Sequence, residues 1–168
     1  MDISSAAYDS ISPANLDNFT NSLRLPGDDG IMGIVDASDA PLRISTRTES
    51  VKVLPGKRSE VWAYRIEREG KIYVNPTIGV QTGTNFCAEL ANGLDEETMI
   101  HWHGQHVEWR MDGHPLLPVG PGAAYRYAYP VESRGGTYWY HPHTHGISAR
   151  QTYSALAGFF RSSGRGRP

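Results

Sequence analysis

Short alternating runs broken by turn residues govern what this chain can become. Leu42, Ile44, Thr46 and Thr48 alternate with Arg43, Ser45 and Arg47, and Val51 and Val53 follow before Pro55-Gly56. The run 61–66 is apolar-rich and stops at Glu69-Gly70, and the run 72–74 stops at Asn75-Pro76. Phe86, Ala88 and Leu90 alternate up to Asn92-Gly93; the run 99–103 leads into Gly104; the run 124–129 ends at Pro130. Residues 137–141 are rich in aromatics, and 155–160 read as a last strand. A period of two places alternate side chains on one face of a pleated strand. Many such strands at turn-punctuated intervals predict an all-β sandwich or barrel. With 18 glycines and 11 prolines, and no long periodic stretch of helix formers, only one helical turn is expected, near 153–156.

Two histidine pairs sit on these strands, His101-Trp102-His103 and His141-Pro142-His143. The i, i+2 spacing points both imidazoles of a pair to the same face, while Ile100 and Trp102 point to the other, where they can pack. Gly104 lets the backbone turn close to the site. Pro142 lacks a backbone donor and suits a strand end, where a site opens outward. Neighbouring strands would bring four neutral imidazoles together, a transition-metal site before anything else. With no thiolate partner and few nearby carboxylates, copper, zinc, nickel or iron fit better than magnesium or calcium. His145 continues the register as a neighbour of the ligands, whereas His106 and His114 are expected to be exposed or hydrogen-bonded loop residues. Asp112, nine residues after His103, is either a simple Asp-Gly turn residue or a carboxylate that moves protons or orients a metal-bound water.

The length of 168 residues suits one domain with a real core. A net charge of −2 implies no nucleic-acid partner, and no apolar run is long enough to span a bilayer. Residues 1–12 show neither a basic nor an apolar signal region, so no secretory signal is expected and the compartment stays open. The single cysteine, Cys87, excludes an internal disulfide and a Cys-rich zinc site, and its apolar flanks predict a buried structural thiol. The expected organisation is a lead-in arm over 1–40, anchored through Ile31, Ile34 and Val35, a folded unit over 41–160, and a basic, disordered tail over 161–168.

The segments Thr98-Met99-Ile100-His101-Trp102-His103-Gly104, Asp112-Gly113 and Gly136-Thr137-Tyr138-Trp139-Tyr140-His141-Pro142-His143 closely resemble the N-terminal copper-binding domain of laccase-like multicopper oxidases. Asn75-Pro76-Thr77-Ile78 and Leu156-Ala157-Gly158-Phe159 support the resemblance, which covers about 41–160. It implies a cupredoxin-like Greek-key β-sandwich and copper as cofactor. By the same resemblance His101 would bind the type 2 copper, His103 one of the type 3 pair, His141 and His143 the type 3 pair, and Asp112 would assist proton delivery to bound oxygen. The implied partners are O2, a reducing substrate (a phenol, a metal ion or a pigment) and a second cupredoxin domain or the remainder of a larger enzyme.

In the family, a later domain completes the trinuclear cluster and carries the type 1 copper through an HCH-type motif. No histidine follows His145 here, and Cys87 precedes the first pair. The expectation is therefore a truncated oxidase or one domain of an assembly, inactive alone and weak in copper binding. Two other readings stand beside it. One is a copper-binding module without redox turnover. The other is a cupin-type single-metal enzyme, in which His101, His103 and Glu108 hold one iron or manganese.

Overall fold

A computed structural model describes residues 33–53 and 56–164. Ile31 and the end of the basic tail lie outside the described residues. The strands are β1 (Ile34–Asp36), β2 (Leu42–Val51), β3 (Ser59–Arg68), β4 (Lys71–Val74), β5 (Thr77–Gln81), β6 (Asn85–Asn92), β7 (His101–His103), β8 (Ala124–Pro130), β9 (Gly136–His141) and β10 (Gly158–Ser163), with one helix, α1 (Ser148–Tyr153). They form two five-stranded sheets, ordered β1-β5-β10-β9-β7 and β4-β3-β2-β6-β8. Parallel pairs (β1 with β5, β5 with β10, β2 with β6) require the chain to cross between sheets, as Greek-key strand order does and an up-and-down meander does not. The architecture is the cupredoxin-like β-sandwich that the resemblance implies.

Alternation builds the core. Leu42, Ile44 and Thr46 of β2 and Phe86, Ala88 and Leu90 of β6 are buried, with their odd-even neighbours turned outward. They meet Ile78, Trp102, Tyr140 and Phe160 of the other sheet. Phe86 carries much of that contact, edge-on to Trp102 at 4.9 Å and to Phe160 at 5.3 Å between ring centroids. These edge-to-face arrangements suit the aromatic quadrupole and add to the area buried. Ile100 and Trp102 are fully buried, which leaves their histidine neighbours facing the other way. Cys87 is half-buried on β6 rather than buried, because its side chain falls on the face opposite Phe86 and Ala88.

One strand has no alternating signal, and two local readings change. β5 carries no alternation because it lies between two parallel strands, and its Thr77, Ile78 and Val80 are all buried. The helix starts at Ser148, well before the expected turn, and ends where Leu156 N–H bonds to the Gln151 carbonyl (3.1 Å) and Ala155 N–H to that of Thr152 (2.9 Å). That is a Schellman closure, with Ala155 at φ +76° in the place glycine usually takes, so the stop left no glycine signal. Within the stretches read as arm and tail, β1 pairs with β5, and Arg161–Ser163 continue β10 with Ser162 buried. No helix among the described residues is long and apolar enough to cross a membrane.

Candidate metal centre

Strands β7 and β9 are antiparallel neighbours in a register that pairs His101 with His141, Trp102 with Tyr140 and His103 with Trp139. The inward residues, Trp102 and Tyr140, lock this register into the aromatic core, and the histidines come to one outer corner. His101, His103 and His141 each offer a nitrogen within 4.8 Å of the other two. His143, beyond the end of β9, places its ring 5.1 Å from that of His101 and 6.2 Å from that of His141. All four sequence-predicted histidines are thus brought together, three tightly and the fourth beside His101.

Hydrogen bonds settle which nitrogen two of the rings present. His101 Nδ1 lies 2.7 Å from the Asp112 carbonyl oxygen. A carbonyl only accepts, so Nδ1 carries the proton and Nε2 keeps the lone pair. His141 Nδ1 likewise donates to the Pro142 carbonyl at 2.8 Å, leaving its Nε2 as a base. That Nε2 faces His103 Nδ1 at 3.1 Å. With metal–nitrogen bonds of about 2.0 Å, two adjacent ligands on one ion stand about 2.8–3.3 Å apart, so this pair has the spacing of a shared ion. Burial pushes His141 down to about 4, the Pro142 carbonyl pulling it back only in part and the neighbouring imidazoles lowering it further. The ring is neutral near pH 7, the state a metal requires. The donor set, imidazoles of which His101 and His141 have their second nitrogens held by carbonyls, fits a copper-class ion.

Trp139, two residues before His141 and so on the same face, stacks on the His141 ring at 3.9 Å and lies 5.0 Å from the His103 ring. Its i, i+2 relation to His141 was the signal that would have placed it at the site. Asp112 reaches the cluster twice, through its carbonyl and through Oδ1, 3.3 Å from His101 Nδ1. Burial raises the carboxyl above the usual range, and His101, His114, His143 and His103 offset that only in part. Gly113 makes this approach possible. At φ +70° a Cβ there would stand 2.0 Å from the Ile100 carbonyl oxygen, so only glycine lets the loop press Asp112 onto β7.

The remaining candidates lie apart. Glu108 pairs with Arg110 through both carboxylate oxygens and is not in the imidazole cluster, which removes the support for a cupin-type two-histidine, one-glutamate site. His114 Nδ1 accepts from Leu116 N–H, and its ring stands edge-on to Trp109. His106 N–H donates to the Ser133 hydroxyl, and both His106 and His145 are exposed.

The multicopper oxidase family model matches residues 46–165. A multicopper oxidase of Staphylococcus aureus is 35% identical over 85 residues, 51% of this chain and 19% of that protein. The crystal structure of the McoA multicopper oxidase from the hyperthermophile Aquifex aeolicus superposes with a TM-score of 0.75 at 33% identity, covering 86% of this chain and 30% of that one. The laccase-like multicopper oxidase CueO of Ochrobactrum sp. superposes at 0.68 with 25% identity, covering 78% and 29%. The chain spans less than a third of the length of each of these relatives. With the match extending over most of its length, the chain belongs to the multicopper oxidase family.

Proposed function

We propose that this chain supplies the first half of the histidine ligands of a trinuclear copper cluster that reduces O2 to water. His101 holds the type 2 ion, and His103, His141 and His143 hold the type 3 pair. The observation that carries the reading is the convergence of His101, His103 and His141 nitrogens within 4.8 Å, on paired strands of a chain in this family. When bound, copper supplies one-electron redox steps and open positions for oxygen.

The protein's own contribution is preorganisation. The Asp112 and Pro142 carbonyls fix two rings with Nε2 outward, and Trp139 limits the tilt of His141. The Asp112 carboxyl, raised by burial and held 3.3 Å from the His101 ring, is placed to give up and regain a proton beside the site. His103 and His143 are exposed, so the corner is open to a covering domain that brings the remaining ligands and the entry route for electrons from a phenol, a metal ion or a pigment. The cupredoxin unit in this reading extends beyond residues 41–160 to take in β1 and the end of β10.

The test is electron paramagnetic resonance of the chain titrated with Cu(II). The expected signal carries nitrogen hyperfine couplings from more than one imidazole. A spectrum of adventitious copper with oxygen ligands only would overturn the proposal.

A further inference from the structure

Three of the four paired histidines are held by the strand ladder and the fourth is not. β9 ends at His141, Pro142 has no N–H to offer, and His143 lies two residues past the last paired position. Its ring is nevertheless set 5.1 Å from that of His101. The anchor is the next residue. Thr144 is buried; its carbonyl accepts from the Ser148 hydroxyl (2.6 Å) and the Ser148 N–H (3.1 Å), and its hydroxyl donates to Gln151 Oε1 at 3.4 Å.

Gln151, on α1, is fully buried. Its Oε1 also accepts from the Thr98 hydroxyl at 3.0 Å, and its Nε2 donates to Glu96 Oε1 at 2.7 Å and to the Glu97 carbonyl at 2.8 Å. All four hydrogen-bonding capacities of the amide are used. Glu96, Glu97 and Thr98 form the segment that enters β7, and Thr144 leaves the second histidine pair. One buried amide therefore spans the two segments that carry the site.

We propose that Gln151 is a positioning residue that sets His143 against His101 for metal binding. The inference rests on the reading of His143 as a ligand. An apolar replacement takes this partner from the buried Thr98 and Thr144 hydroxyls, so the segment relaxes and carries His143 away. His101, His103 and His141 keep their ladder and are left in place.

A double-mutant cycle separates positioning from general destabilisation. Cu(II) affinity of the full chain is measured by calorimetry for the parent, His143→Ala, Gln151→Met and the double variant, and again with His103→Ala in place of His143→Ala. The expected result is that His143→Ala weakens binding at least about tenfold in the parent and less than about twofold beside Gln151→Met, while His103→Ala costs the same in both backgrounds. Equal cost of His143→Ala in both backgrounds overturns the inference. No cost of His143→Ala in the parent overturns the ligand reading of His143 instead, and the inference with it. Should Gln151→Met not fold by circular dichroism, Thr144→Val, which removes one bond of the same network, replaces it; additivity with His143→Ala then overturns the inference.

Discussion

His103 Nδ1 meets His141 Nε2 at 3.1 Å, although the residue opposite His103 in the ladder is Trp139. The contact is diagonal, between i on one strand and j+2 on the other. Such diagonals are within reach of ring side chains, and Trp139 contacts both rings, stacked on His141 and tilted against His103. The two imidazoles therefore come within reach of one ion without sitting opposite one another.

Removing either ring breaks that pair. His103→Ala and His141→Ala are each expected to weaken Cu(II) binding at least about tenfold, more than loss of an outer hydrogen bond to a ligand costs at its mildest. Isothermal titration of each variant against the parent measures this. Parental affinity in both variants would show that the rings do not share an ion.

Gly113→Ala tests the loop that presses on β7. The new Cβ meets the Ile100 carbonyl at 2.0 Å in a left-handed backbone, so the loop must lift. The expected loss is about 2–4 kcal/mol of stability by urea denaturation, with a fall in copper affinity as the Asp112 carbonyl leaves His101. An unchanged midpoint would refute the tight approach.

Asp112→Asn keeps the backbone carbonyl on His101 Nδ1 and removes only the charge. Copper affinity is expected to stay within about threefold of the parent, since the tautomer of His101 is set by the backbone. A loss beyond tenfold would assign the carboxylate itself to the metal.

Glu96 gives the fold an acid limit. Burial pushes its carboxyl up, but the hydrogen bonds from Gln151 and Arg150 and the Arg150 charge outweigh it and hold the carboxyl below its ordinary 4.5. A carboxylate lowered on folding contributes stability that is fully present above its unfolded value and is lost as pH falls through the folded one. The parent should therefore lose stability below about pH 4.5, and Glu96→Gln should show a shallower loss over that window. Parallel acid limbs in the two proteins, followed by urea midpoints against pH, would count against this ion pair.

Alternation made β2 and β6 legible in the sequence, and runs stopped by turn residues did the same for β3, β8 and β9, because both are local properties of one segment. The same rule put His101 with His103 and His141 with His143 on common faces, and it sent Ile100 and Trp102 into the core. It could not show β5, whose burial on both faces erases the alternation, nor the helix stop at Ala155, where a left-handed turn is held without glycine.

Which rings meet was decided by tertiary structure alone. The diagonal contact of His103 with His141 depends on a register fixed by Trp102 and Tyr140 in a shared core. The place of His143 depends on bonds from Gln151 to residues 53–55 positions earlier in the chain. The sequence by itself determined the strands, the faces and the kind of ligand, since these follow from spacing along one segment. Only folding determined the distances between ligands, since these are set by hydrogen bonds and packing between segments that are remote in the chain.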